Sequence, residues 1–510
     1  MEKDETMTID HDHLDGQNCH GHKSWSENNW LQALFFFLVA FVFVTLFSRS
    51  TSFLYVFEGA DPAIFKQMGQ ALLKGKTLYV DYFDNKGCIL YFIQALGLWI
   101  GGDFFILIMQ ALSLTVTLVI WDKMLILYRK KRKERIICLG IALVMLLCFY
   151  GAGDQTQEWC LPLISYPLLI YFQALKEKKE ILWYKMFLIG LCCGIITFIQ
   201  INNACVLLGF VIYIWILYFL EKNYRKFFSS LLCFVSGWLI PVVICILYFY
   251  LKAGWHGVHE MIYASFLSNF EYIDVQKFRS WMYWIPYSLF LLSLLIIQIL
   301  NYHKDKNILI PTLISFGLFV GTFGKQCNSF YLMAILPLCI VTMMTIDNKK
   351  RINSCLFGIN VICMIIIGGM TIFHFINDLI LQKEKEIAIY DDFHQCIEKI
   401  PIVERDSIFN YNLFWHGYGM MQHEQLIQCN WISLGYDMPA LMKKECLKHT
   451  NFPKWIIISP NRKYYQSDAY YILNNYELIH SFIYDRLYFN KPKIGQKFEV
   501  CLYRRKEKAI

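Results

Sequence analysis

Charge is what this chain has least of. Only 17% of its 510 residues are Asp, Glu, Lys or Arg, while 56% are hydrophobic, among them 41 Phe and 32 Tyr. Soluble domains carry about 25% charged residues, so an ordinary soluble protein of this size is excluded and the chain belongs in a bilayer. Glycine-rich phosphate loops are missing as well: the sequence holds no Walker-type loop, no GxGxxG, no GxSxG and no internal repeat. Nucleotide-dependent and acyl-transfer chemistries built on those loops receive no support. The first apolar run has no small-residue cleavage site after it and 29 polar residues of mixed charge before it, so a retained helix is expected there rather than a removed leader.

In place of charge the chain has long apolar runs. A helix crossing roughly 30 Å of hydrocarbon needs about 20 mostly apolar residues. Leu31–Phe47 is the first such run, and others lie near 104–126, 136–150, 159–172, 186–200, 203–220, 227–250, 285–299, 308–321, 331–346 and 355–375. Eleven spans are expected, several short, with tilts or kinks at Pro162, Pro167, Pro241 and Pro337. Basic residues give the orientation. Arg129–Arg135 (RKKRKER), the group Lys176, Lys178, Lys179 and Lys185, then Lys222, Arg225 and Lys226, Lys304 and Lys306, and finally Lys349, Lys350 and Arg351 fall in alternate loops. The intervening short loops hold only Lys325. This pattern predicts a multi-pass cell-membrane protein with a cytoplasmic N-terminus, and with 49–103 and everything after about 376 on the outer face. The net charge of +8 then reports topology, and no nucleic-acid partner is needed to explain it.

The expected fold is an all-α polytopic membrane bundle with interfacial helices in its first outer loop and a small α/β C-terminal extracytoplasmic domain. Residues 1–29 form a polar tail whose His11, His13, Cys19, His20 and His22 lack the second half of a closed four-ligand site, so a solvated tail is expected. Residues 30–375 form the membrane domain and 376–510 the outer one. Within loop 49–103, Ile64, Phe65, Met68, Ala71 and Leu72 recur at helical spacing over Asp61–Leu73. A second interfacial helix, Ile89–Trp99, carries Tyr91 and Trp99 as headgroup anchors. Loop 251–284 is rich in rings (Trp255, Tyr263, Phe266, Phe270, Tyr272, Trp281, Tyr283, Trp284) that suit either sugar stacking or an aromatic belt. After 376 a helix is expected at Ile387–Lys399, strands at 407–410, 455–458 and 498–504, and a helix at Ala469–Tyr476. Most of the 18 Cys lie in apolar spans, as Cys192, Cys193, Cys233 and Cys363 do; Cys396, Cys429, Cys446 and Cys501 leave a tail disulfide open without fixing a pairing.

Polar chemistry is concentrated at the ends of these spans, where it needs a reason. Glu58 and Asp61 stand three residues apart before Pro62, and Asp61 is also suited to cap the following helix. Tyr79, Asp81, Tyr82, Asp84 and Lys86 crowd before Gly87, with Lys86 either paired to an acid or set to meet a lipid phosphate. Asp154 and Glu158 sit in the short loop GAGDQTQE, which has no basic residue. A divalent cation held by His256, His259 and Glu260 with Asp84 or Asp154 is conceivable, but no complete metal site and no certain cofactor is legible. Lys325, Asn328 and Tyr331 mark another outer helix end, suited to anchoring or to a ligand.

Taken together, Asp61, the Gly75-Lys76 turn, Tyr79-x-Asp81-Tyr82-Phe83-x-x-Lys86-Gly87, a G-x-x-T-x-E type loop and Leu161-Pro162 resemble the GT-C superfamily of membrane glycosyltransferases, over about 55–165. The protein mannosyltransferases and the lipid A aminoarabinose transferase are among its members. The resemblance implies Asp61 as catalytic base with Glu58 as the alternative, Lys86 on the phosphate of a polyprenyl-phosphate-linked sugar, and Tyr79, Asp81, Asp84, Asp154 and Glu158 bordering the site. It implies an inverting transfer to an extracytoplasmic acceptor, whether cell-envelope glycan, lipid or protein. Two positions depart from the pattern: Cys88 replaces the usual proline after Lys-Gly, and Gln157 stands where an acid is frequent. The chemistry asks for a base for the hydroxyl proton and a cation for the leaving phosphate, so Asp61 and Lys86 must face one recess. A lipid-linked oligosaccharide transporter or flippase is the competing class, yet spans 136–250 offer little polar lining beyond Asn202 and Asn203. A non-catalytic membrane scaffold would explain the outer domain but not the crowded first loop.

Overall fold

The computed structural model describes residues 29–268 with few gaps, 302–322, 329–345, short pieces between 358 and 382, 383–426 with few gaps, 454–458, 476–485 and 497–506. The N-terminal histidines, the rings beyond 268, the run 285–299 apart from Ile296 and Ile299, Lys325, Asn328, Cys429 and Cys446 lie outside the described residues.

Helices dominate. They are α1 (Asn29–Phe47), α2 (Ala60–Leu73), α3 (Cys88–Leu127), α4 (Arg132–Phe149), α5 (Thr156–Glu177), α6 (Trp183–Leu220), α7 (Tyr224–Ile262), α8 (Tyr302–Thr322) and α9 (Leu336–Thr345), the last entered through a 3-10 turn at Ser329–Ile335. Among the described residues four stretches are long and apolar enough to cross a membrane: Trp30–Phe47, Cys88–Leu127, Trp183–Leu220 and Tyr224–Leu267. Among the described residues the remaining expected spans do not appear as separate long apolar helices. α4 opens on four charged residues, α5 carries Gln157, Glu158 and two prolines, and α6 joins two expected spans. A straight α6 would run roughly 57 Å, nearly twice a bilayer core. It is broken at Gln200, whose φ of −163° and ψ of 114° are those of a strand.

Two other breaks share one geometry. Gly101 (−162°, 22°) and Gly102 (63°, −149°) divide α3, and Ala253 (−145°, 20°) and Gly254 (61°, −154°) divide α7. The second residue of each pair occupies a region that essentially only glycine visits. Each break sets a shorter helix at an angle to a long one, and Trp99 and Trp255, 73% and 71% exposed, stand beside them as interfacial anchors do. The interfacial helices expected at Asp61–Leu73 and Ile89–Trp99 thus correspond to α2 and the first part of α3, with Phe65, Met68 and Ala71 turned inward.

The C-terminal part is a four-stranded sheet, β1 (Ile408–Tyr411), β2 (Trp455–Ile458), β3 (Tyr476–Asp485) and β4 (Lys497–Arg505), in the order β1-β2-β4-β3. β1 and β2 are parallel, pairing Ile408 with Trp455, and the other pairs are antiparallel. Helix α10 (Lys383–Glu398) lays Ile389, Phe393, Cys396 and Ile397 on Ile408, Trp455, Val500 and Leu502. Three expected strands are present. The strand β3 was not expected, since Tyr476 begins a strand where a helix was foreseen to end, and 469–475 lie outside the described residues. A register shift between Leu478 and His480 interrupts the alternation that would have revealed it. Cys396 and Cys501 are buried free thiols. The sheet domain sits on the first loop: Val56 joins its core, α11 (His416–His423) packs against α2, and Arg49 meets Glu386 at 3.6 Å with both side chains buried.

Candidate active site

The first loop is fixed before it reaches α2. Gly59 donates its N–H to the Arg49 carbonyl at 3.0 Å and holds the N-cap position, with no side-chain hydrogen bond at that cap. Asp61 falls inside the first turn, so its carboxylate is not the cap and points away to other partners. Further on, Tyr79 adopts a left-handed φ of 65° and donates its hydroxyl to the Lys86 carbonyl at 2.7 Å. Gly87 donates to the Ile199 carbonyl at 3.1 Å, and a Cβ there would stand 2.1 Å from the Phe198 oxygen. The glycine after the lysine is therefore required by the close pass of the loop under the break in α6.

This loop delivers Lys86 beside Asp61. The Lys86 ammonium donates to Asn85 Oδ1 at 3.0 Å, while Asp84 accepts from the Tyr91 hydroxyl at 2.5 Å and from the Asn85 N–H at 2.7 Å. Burial raises the Asp61 carboxyl above its ordinary pKa; the Lys86 ammonium opposes the rise, Asp84 adds to it, and a hydrogen bond from Gln155 opposes it. Burial works against the charge on Lys86, but Tyr331, Asp84 and Asp61 together hold its pKa above the ordinary lysine value. Asp61 and Lys86 are each half-buried and lie within electrostatic reach of one another.

The other expected residues take different places. Asp154, at a left-handed φ of 53°, is fully buried; both its oxygens accept from Gln94 Nε2 at 2.9 Å and one from Trp159 Nε1 at 2.8 Å. Burial pushes its pKa to about 7. Glu158 is buried too and accepts from the Tyr150 hydroxyl at 2.9 Å. Glu58 meets Lys66, 2.8 Å away. Asp81 is exposed and accepts from the Thr77 N–H at 2.6 Å, closing its own turn. His256 and His259 are exposed, each near Glu260, and among the described residues no group of three or more His, Cys, Asp or Glu is arranged to hold a metal ion. Residue-level reading missed Gln155 and Lys66. Gln155 carried no signal beside the acids of its loop, and Lys66 looked like one more polar position on an amphipathic helix.

Comparison with known proteins follows from this geometry. The competence-induced protein Ccs4 N-terminal domain matches residues 26–356, well over half of the chain. The chain belongs to that family. The match takes in both loops of the site and ends before the C-terminal sheet. No curated protein matches in sequence. Among solved structures, ArnT from Cupriavidus metallidurans in the apo state aligns over 93% of this chain and 98% of its own, with a TM-score of 0.51 and 12% identity. The Archaeoglobus fulgidus oligosaccharyltransferase in the apo form aligns over 88% of this chain and 71% of its own, with a TM-score of 0.46 and 9% identity. At this identity the likeness to ArnT establishes the fold alone.

Proposed function

We propose that this protein is a membrane glycosyltransferase that moves a sugar from a polyprenyl-phosphate donor to a hydroxyl of an extracytoplasmic acceptor. The observation that carries the proposal is that the Asp61 carboxyl and the Lys86 ammonium, both half-buried, lie close enough to shift each other's protonation. Asp61 takes the proton of the acceptor hydroxyl; the hydroxyl oxygen attacks the anomeric carbon from the face opposite the phosphate, and the carbon–oxygen bond to phosphate breaks with its electron pair on the phosphate. The configuration inverts. Lys86 stabilises the charge growing on the leaving phosphate, a role in which a desolvated cation is strongest. Burial raises the Asp61 pKa and so makes its carboxylate the stronger base. Asp84, fixed by Tyr91 and Asn85, holds Lys86 charged. Asp154 and Glu158 stay inside the protein and shape the second loop, from which Gln155 reaches Asp61.

The test is reconstitution in liposomes with a panel of polyprenyl-phosphate sugars and cell-envelope extract, reading release of free polyprenyl phosphate. Asp61→Asn should cut release by about 10²–10⁴-fold, the usual worth of a general base, with unchanged folding. Full activity in that variant would remove Asp61 from the base role.

A further inference from the structure

Lys66 is a buried charge that the proposed reaction does not use. It lies on α2, fully enclosed, with its ammonium 2.8 Å from Glu58 Oε1 and 2.8 Å from Asp103 Oδ1. No phosphate can reach it, since protein covers it and two carboxylates already take its charge. Its partners are informative. Glu58 precedes α2, three residues before Asp61, and Asp103 is the first residue after the glycine break of α3. Gly102 holds the angle, φ 63° and ψ −149°, at which Asp103 arrives. One ammonium therefore ties the approach to α2, the body of α2 and the bend of α3 together, and Asp61 lies between the tied points. Asp154 also feels the Lys66 charge, which extends the tie to the second loop.

We propose that Lys66 is the positioning residue that holds Asp61 at its place beside Lys86, through the paired carboxylates of Glu58 and Asp103. The role rests on the transferase reading for its consequence in catalysis, but the placement of Asp61 can be read without any transfer. A hydrophobic carbodiimide labels protonated carboxyl groups, and peptide mass spectrometry of the Asp61 adduct across pH gives the midpoint of its protonation. If Lys66→Met lets Asp61 drift from the Lys86 ammonium, that midpoint moves up by about half a pH unit or more, the turnover number falls at least tenfold and the donor KM stays within twofold. Lys66→Arg keeps the charge and should keep the midpoint. Should Lys66→Met fail to fold, Asp103→Asn, at the half-exposed end of the cluster, should shift the same midpoint in the same direction by less. An unmoved Asp61 midpoint in folded Lys66→Met, or in Asp103→Asn where Lys66→Met does not fold, overturns the proposal. A moved midpoint in a protein whose wild type releases no polyprenyl phosphate upholds the tie and overturns the transferase reading alone.

Discussion

The two lysines of the first loop sit in opposite settings. Lys66 is enclosed on every side and its charge is divided between two carboxylates at 2.8 Å. Lys86 is half-buried, donates to an asparagine oxygen, and faces Asp61, Asp84 and Tyr331 with part of its surface open. The same residue type is thus closed off by two carboxylates in one place and left partly open in the other. What separates them is access: a buried ion pair closed on itself supports the fold only while both partners remain, whereas the Lys86 ammonium keeps part of its surface open.

Breaking each lysine in turn is the sharpest way to test that contrast. Lys66→Met should lower stability by about 3–5 kcal/mol, the usual cost of stranding a buried charge, read as the melting midpoint in detergent. Lys86→Met should leave that midpoint nearly unchanged, and equal losses in the two variants would erase the distinction. A smaller effect is expected where the Lys86 loop passes α6: Gly87→Ala places a methyl 2.1 Å from the Phe198 oxygen and should cost about 1–3 kcal/mol, while Gly140→Ala, which meets nothing, should be neutral or slightly stabilising.

pH gives the finer tests. Asp61 must be ionised to act as a base, so activity is lost as pH falls through its raised pKa. Because Lys86 opposes that rise, Lys86→Met should move the acid limb of turnover to higher pH, and a limb that moved down would contradict the pairing. The smallest expected effect concerns Asp154. Its pKa rises from 3.8 to about 7 on folding, so the folded state holds the proton more tightly than the unfolded chain. The corresponding stability is full below the unfolded value and disappears as pH rises through about 7. Glu58, raised from 4.5 to about 7, acts in the same direction. Asp154→Asn should flatten the decline of the melting midpoint between about pH 4 and pH 7, and asparagine tolerates the left-handed backbone at that position.

Much of the site could be read from residue types and spacing. The helix over 60–73 follows from apolar positions at helical intervals, while of the two rings expected as headgroup anchors on the helix from 88 only Trp99 is exposed; Tyr91 is fully buried and donates to Asp84 instead. The edge strand β3 was hidden by its bulge, and α6 carries two of the expected apolar runs through a single extended residue. Glu58 and Asp61, equivalent as neighbouring acids in one dimension, were separated only by their partners.

By itself the sequence determined that the chain lives in a bilayer, which segments are apolar enough to be buried there, and that its acids and lysines gather at the ends of those segments, because hydrophobicity and periodicity are local properties. Tertiary structure alone decided which carboxylate each lysine meets. That choice depends on the angles of the breaks at Gly102 and Gln200 and on the pass of Gly87 beneath Phe198, contacts between residues far apart in the chain that no local pattern encodes.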